Sequence, residues 1–360
     1  MQLENEFGEI PENAYNDALA QTDQMAANQE LGATSAGIEN DTWNWIGPGN
    51  IGGRVRAIAI HPTTPDIMWA GSVSGGIWKT TNGGESWQAQ DDFMANVAVT
   101  SIVISPLDAD TLYAGTGEGF SGDGIRGDWI FKTTDGGATW TPLAKGTSEP
   151  ETYVGYISRL TISPDGNTLL AATEYGVLRS DISSDDEVWI NQFWPNDFSY
   201  GSVLDINFNP SDSLKAVASG NGYAIYSTDS GITWNFANFT GTDTSNFGRV
   251  EIAYAPSNPN IVYASIDNYE NDSEIWKSTD GGQNYSRQST GNTYLGNQGW
   301  YDNIIWVDST NANTLVVGGI DLWRSTDGGV NLTKISTWWA SPDSAHADHH
   351  MIVEHPDFNG

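Results

Sequence analysis

The residues able to do chemistry in this chain fall into a few groups. The densest is "HADHH", where His346, Asp348, His349 and His350 stand together in a chain with only five histidines. Imidazole and carboxylate ligate divalent metals, and on an extended strand His346, Asp348 and His350 would share one side. The spacing matches no specific zinc pattern, so a hydrogen-bonded lining is the alternative. A second group is Asp205, Glu251 and Asp302, each near the start of a short apolar stretch: "VLDINFNP", "RVEIAYAP" and "DNIIWVDS". Two such carboxyl groups across a glycosidic bond can hydrolyse it. Arg56, Arg159 and Arg249, with Thr100, hold equivalent starts, and beside Asp302 the stretch "NQGWYDN" adds Trp300 and Tyr301, aromatic faces suited to a sugar or to ordinary packing. A ring of such groups reads either as a wet binding mouth or as mutual ion pairing, since unpaired charges are costly to bury.

Two loops extend the set. The glycine-rich "GEGFSGDGIRGDW" (117–129) carries Glu118, Asp123, Arg126 and Asp128, with Phe120 and Trp129 as candidate sugar-stacking rings. Loops on rigid scaffolds commonly carry binding residues. The acidic "DNYENDSE" (267–274) offers Asp267, Glu270, Asp272 and Glu274, an oxygen-rich set that could hold calcium, although without the EF-hand order. No cofactor is required by any of this; calcium or another divalent metal is the one suggested. The tripeptide Arg126-Gly127-Asp128 is too short to imply adhesion.

Composition narrows the partners. Forty-six acidic against 14 basic residues leave a formal charge of -32 over 360 residues, which repels nucleic acid and anionic membrane. The absence of cysteine excludes disulfides, cysteine-ligated zinc and thiol catalysis. No apolar run reaches membrane-spanning length. No signal peptide is visible, since Met1 opens a polar segment; either the protein is cytosolic or its true N-terminus lies upstream.

The elements that must position these residues are written as a repeat. "KTTDGGATW" (132–140) recurs as "KTTNGGESW", "YSTDSGITW", "KSTDGGQNY" and "RSTDGGVNL", with a worn copy at "RSDISSDDEVW". The closing residues Trp87, Trp140, Trp189, Trp234, Tyr285 and Leu332 recur at the length of a four-stranded propeller blade, roughly 40–50 residues. Before each copy come an alternating strand ending in a turn and two further strands. This predicts an all-β propeller of four-stranded blades over residues 43–360, with six blades written and a seventh begun at "HHMIVEHPDFNG", the chain continuing beyond Gly360. An open ring of this kind is expected to aggregate or partly unfold alone. Residues 1–42 predict a short helical extension and linker, with Pro11 near the helix start and Gly32 just past its end. Asn82, Asp135, Asp229, Asp280 and Asp327, with Trp87, Trp140 and Trp234, read as structural, because a group repeated in every blade serves the blade.

Ser/Thr-x-Asp-x-Gly-x-x-Trp is the Asp-box of sialidases, xyloglucanase-type glycosidases and sortilin-type propellers, a motif specific for fold and nearly silent about activity. Over most of residues 5–360, "WIGPGNIGGRVRAIAIHPTTPD", "YAGTGEG", "QGWYDN" and "HADHH" resemble secreted Bacteroidetes propeller proteins described as sortilin-like or glycosyl-hydrolase-like, which often carry a type IX secretion signal. The resemblance implies an extracellular or cell-surface protein that binds a glycan or a protein. The alternative it implies is a glycoside hydrolase. Two departures bear on that alternative. Val73 stands where the xyloglucanase type carries a catalytic Asp on its first blade. The three arginines suggest a sialidase triad, but the sialidase N-terminal arginine motif is not spelled, and a seventh blade exceeds the sialidase ring. No nucleophile motif supports a peptidase.

Overall fold

The computed structural model describes residues 53–90, 98–120, 124–143, 154–183, 189–193, 202–270, 272–340 and 343–360, together with Gln24. The chain divides into two compact units, residues 1–52 and 53–360. The helical extension expected over residues 1–42 lies outside the described residues apart from Gln24, which is helical.

Among the described residues of 53–360 six sheets form, antiparallel but for one added strand, one for each repeat found in the sequence. Their innermost strands are Val55–Ile60, Val99–Ile104, Ile157–Ile162, Val203–Asn209, Phe247–Tyr254 and Ile304–Val307, and each lies beside the next. Each sheet then steps outward strand by strand in chain order, so every blade is a meander. The fifth blade gains a fifth strand, Asn238–Phe239, which pairs in parallel with the outer strand Asn284–Asn292. Among the described residues no helix is long and apolar enough to cross a membrane.

The core is built between blades. Each of the five buried clusters spans two consecutive blades; one joins Trp69 and Ile77 of blade one to Ile102, Leu112 and Trp140 of blade two. The residue closing each repeated turn therefore packs on the preceding blade: Trp140 on blade one, Trp189 on blade two, Trp234 on blade three and Tyr285 on blade four. Trp87 of blade one has no preceding blade among the described residues and is 37% exposed.

The repeated turn is built alike in five blades, with Asn82 in the place of the Asp in blade one. In blade two the Thr133 hydroxyl donates to Asp135 Oδ1 (2.6 Å), and Asp135 accepts from the Thr139 N–H (3.0 Å) and the Thr139 hydroxyl (2.7 Å). Thr133 Oγ1 in turn accepts from the N–H of Gly137. Gly137 sits at φ 94°, and a Cβ there would lie 2.9 Å from Trp69 Nε1, so the second glycine is needed for both conformation and closeness to the previous blade. Trp69 Nε1 donates to Gly136 O (2.9 Å), tying blade one to the turn of blade two. These bonds hold the Asp135 carboxyl down to about 2, the Thr133 hydroxyl being the largest cause. Asp135→Ala is expected to cost about 1–2 kcal/mol, the worth of a few partly exposed hydrogen bonds. Urea unfolding checks this. Because the folded pKa is depressed, the contribution is present above pH ~4 and fades as pH falls toward 2; equal urea midpoints for variant and parent at pH 7 would contradict the assignment.

The beginnings of the inner strands are where the meander gives way. Pairing with the second strand slips between Val55 and Ala57, Val99 and Ser101, Val203 and Asp205, and Phe247 and Val250. Such bulges re-aim a side chain, and the extra residues include Arg56, Thr100 and Arg249. Three of the polar starts read from the sequence are thus bulge positions, while Arg159, Asp205 and Glu251 stand in regular register beside them.

The seventh inner strand expected at "HHMIVEHPDFNG" is not formed as a strand. Asp348 takes φ 67°, a left-handed conformation that breaks an extended run. Residues 345–358 nevertheless lie against blades six and one. His349 N donates to Gly319 O (3.1 Å), Ser309 N to Glu354 Oε2 (3.2 Å) and Ile58 N to Met351 Sδ (3.4 Å). Phe358 packs edge-on to Trp306.

Candidate functional site

The bulged strand starts converge on a charged network. Arg159, from blade three, reaches Asp205 (2.6 Å) and Glu251 (3.3 Å). Arg249 donates to Glu251 Oε1 through Nε and Nη2 (2.9 and 2.6 Å) and to the Tyr301 carbonyl through Nη1 (2.6 Å). Asp205 Oδ2 also accepts the Ile252 N–H (2.9 Å). Arg249, Glu251 and Asp205 are each 2% exposed. Burial pushes Glu251 up to about 7 against the pull of Arg249. Beneath this network a cavity of ≈ 340 Å³ runs past Tyr254, Trp306 and Met351.

A second knot joins blade one to the loop of blade two. Glu118, fully buried, accepts from Arg56 Nη2 (2.9 Å) and Arg54 Nη2 (3.2 Å). Gly127 presses on the Thr116 backbone, where a Cβ would come within 2.3 Å, and Ile125 bridges to Glu118, so residues 124–129 lie back against 116–118. The guanidinia of Arg56 and Arg249 each lie 4.4 Å from the Phe120 ring centre, so the ring attracts both cations. Arg56 is brought down to about 10, chiefly by burial and then by Arg249.

The third knot contains Asp302. Its carboxyl is fully buried, and neither oxygen has a donor within reach. Asp348 faces it. Burial first and the Asp348 carboxylate second push Asp302 up to about 7. Both causes favour the protonated form of the Asp302 carboxyl. Gln298 Nε2 approaches Asp348 Oδ1 at 3.4 Å. Tyr301 stacks edge-on with His350 at 4.7 Å and accepts from Arg54 Nη1 at its hydroxyl (2.8 Å). Burial and then Arg56, Arg249 and Arg54 drive His350 down to about 2, so it is neutral. Trp300, beside Tyr301 at 5.4 Å, is 50% exposed.

Several sequence expectations change at this level. Arg56, Arg159 and Arg249 do not form an open triad, because each is already paired with a buried carboxylate. For the same reason Asp205 and Glu251 are held in ion pairs, and among the three carboxylates put forward as catalytic only Asp302 lacks such a partner. Trp129 is not a sugar platform: it is buried against Trp189, ring centres 5.7 Å apart. Phe120 is occupied by its two arginines. Arg126 lies beside Glu174. Asp123 lies outside the described residues.

The metal readings meet the same kind of obstacle. The left-handed Asp348 (φ 67°) interrupts the extended alternation on which the His346, Asp348 and His350 set was based, although all three line one cavity. In the acidic loop Glu274 points into the blade, accepting from Trp276 Nε1 (2.7 Å), Arg287 and Thr290. Among the described residues no three His, Asp or Glu groups converge as metal ligands. Sequence reasoning missed the partnership of Asp348 with Asp302, 46 residues apart; the only available signal was that each sits beside aromatic or imidazole residues in a short polar run.

Val73, at the place where the xyloglucanase type was expected to carry an Asp, is 1% exposed and its N–H bonds Arg54 O, so no carboxylate stands there.

No family model matches the chain. A xyloglucanase of Hypocrea jecorina is 28% identical over 175 residues, 43% of this chain and 20% of that protein. Xyloglucanase Xgh74A of Acetivibrio thermocellus is 27% identical over 231 residues, 53% of this chain and 26% of the relative. The chain thus covers about a quarter or less of the curated relatives it matches. Among solved structures, an ancestral GH74 enzyme superposes with a TM-score of 0.57 at 19% identity, covering 78% of this chain and 38% of that one. YCF48 from Cyanidioschyzon merolae gives 0.53 at 14%, covering 79% and 85%. At such identities the structural likeness establishes the fold, and together with the sequence relatives it makes this chain a β-propeller with a glycosyl-hydrolase-like relationship to the xyloglucanases.

Proposed function

We propose that this propeller acts on a polysaccharide at the mouth where its inner strands begin, as a glycoside hydrolase of xyloglucanase-like descent. The observation that carries the reading is the Asp302–Asp348 pair: a buried carboxyl that keeps its proton near neutral pH, set against a second carboxyl and beside Trp300 and Tyr301. A buried carboxyl pushed up toward neutrality is a candidate general acid. The curated xyloglucanase relatives support a glucan as the substrate class. Asp302 takes the part of the acid in this reading, its proton favoured by burial and by the facing Asp348 carboxylate. The other mouth carboxylates described here, Asp205, Glu251 and Glu118, are ion-paired. An extracellular or cell-surface setting, with a glycan as partner, belongs to the same proposal, as does sortilin-like export through type IX secretion.

Binding without cleavage is the second reading, favoured by Val73 at the xyloglucanase position and by the full burial of Asp302. Release of reducing ends from xyloglucan and other soluble β-glucans by the full-length protein decides between the two. Cleavage is expected, with loss above about pH 7 as Asp302 loses its proton. Retention of the polymer with no reducing ends after prolonged incubation would replace hydrolysis by binding.

A further inference from the structure

Hydrolysis needs a second carboxylate beside the acid, and Asp205, Glu251 and Glu118 are held in ion pairs. Asp267 is not. It lies on the strand Val262–Asn268, opposite the bulge at Gly248–Arg249, and is 9% exposed. Among the described residues no hydrogen bond or ion pair holds its carboxyl; burial raises its pKa, and the charge of Arg249 is what pulls the other way. A carboxylate so nearly buried without a partner is costly, and costs of this kind collect at functional sites.

Two glycines make room for it. A Cβ on Gly299 would lie 2.6 Å from Asp267 Cγ, and one on Gly248 would lie 3.0 Å from Asp267 Oδ2 and 2.8 Å from Tyr269 Oη. Neither glycine has a positive φ, so closeness to these side chains, not backbone freedom, requires them. One turn then joins Asp267 to Asp302. The N–H groups of Tyr301 and Asp302 both donate to Gln298 O (2.7 and 3.0 Å), so Asp302 and the Gly299 that packs on Asp267 belong to the same turn. Asn303, next in the chain and fully buried, pins that turn to the strand of Asp267. Its Oδ1 accepts from Ser265 Oγ (2.6 Å), and its Nδ2 donates to Ser265 O (3.1 Å) and Arg249 O (3.2 Å). Arg249 acts on both carboxyls, while its own hydrogen bonds go to Glu251 and the Tyr301 carbonyl.

We propose that Asp267 is the second carboxylate of the site, the general base that activates the attacking water. This rests on the hydrolase reading above. A carboxyl packed so closely against Gly248 and Gly299 is open to a water more readily than to a sugar carbon, which assigns it to the base rather than to a nucleophile. In the step, Asp302 gives its proton to the glycosidic oxygen, which leaves with the electron pair of the broken C–O bond. The water oxygen bonds to the anomeric carbon, and its proton passes to Asp267. The nearby Arg249 charge favours the ionised form of Asp267 that this requires.

The test compares kcat and KM of the full-length protein on xyloglucan and on a dinitrophenyl β-glycoside of a cello-oligosaccharide, whose leaving group needs no acid. Asp267→Asn is expected to lower kcat about 10²–10⁴-fold on both substrates with KM little changed. Asp302→Asn, by contrast, should lose far less on the aryl glycoside. Azide added to Asp267→Ala should restore part of the lost rate and yield the glycosyl azide, which a merely structural role would not produce. Melting temperatures keep the variants interpretable: loss of an unpartnered buried charge should leave Asp267→Asn at least as stable as its parent. Parental kcat in Asp267→Asn, or a loss in Asp267→Ala that azide does not restore, overturns the base and leaves the hydrolase reading standing. No cleavage of either substrate by the parent overturns the hydrolase reading, and Asp267 as its base with it.

Discussion

Asp302→Asn is expected to abolish hydrolysis and, at the same time, to make the protein more stable above pH 7. The two effects have one cause. Asp302 is buried without a hydrogen-bond donor, and its carboxyl is pushed from 3.8 up to about 7, by burial first and Asp348 second. A raised folded pKa means that the folded state binds more protons than the unfolded state between pH ~4 and ~7, so stability falls as pH rises through that window. The full penalty applies above 7 and amounts to at most about 4 kcal/mol at ~1.4 kcal/mol per unit. Asparagine removes the charge, keeps the volume and can donate to Asp348. Catalysis should fall by about 10²–10⁴, the usual contribution of a general acid. Melting temperatures at pH 5 and pH 8 test the first claim. The parent should lose more on going to pH 8 than the variant does. Glu251 titrates in the same direction, so only the difference between parent and variant isolates Asp302. A variant less stable than its parent at pH 8 would remove the basis for treating Asp302 as a strained acid.

The architecture was legible because it is repetitive. Asp135 and its equivalents, followed by glycines, state the same turn five times, and the alternation in "VRAIAI" or "ISRLTI" places the inner strands. The mouth was legible only as a list of members. Arg56, Thr100, Arg159, Asp205, Arg249, Glu251 and Asp302 were all expected near the strand starts, but which would pair depends on how neighbouring blades are rotated, and no local pattern encodes that. Arg159 finds carboxylates on blades four and five; nothing in "ISRLTI" says so. Residues 117–129 misled in a different way. Glycine-rich composition suggests an open loop, yet here the glycines permit close packing that buries Glu118 and Trp129. The His-rich segment misled because alternation presumes an extended chain, and a single left-handed residue, Asp348, cancels it.

Arg249→Met is expected to be the most damaging substitution in the mouth, costing about 3–5 kcal/mol, the price of leaving a buried carboxylate without its partner. Arg249 gives Glu251 its two shortest hydrogen bonds, ties down the Tyr301 carbonyl and stacks on Phe120. Without it Glu251 retains only Arg159 at 3.3 Å and still faces Asp205, whose charge already raises its pKa. Methionine fills much of the volume, so the loss reports the charge rather than a cavity. Glu251 would then titrate higher still in the folded state, and by the same sign rule the damage should grow from pH 5.5 to pH 8. Urea unfolding at the two pH values measures this. Adding Glu251→Gln removes the stranded charge and should restore about half of the loss, because a neutral amide can still accept from Arg159. Against a total stability of about 5–15 kcal/mol, the single variant stands near the threshold of folding and the double variant clears it. A loss that is independent of pH, or one that Glu251→Gln does not reduce, would mean that Arg249 acts through its packing on Phe120 and its hold on Tyr301 rather than through the Glu251 pair.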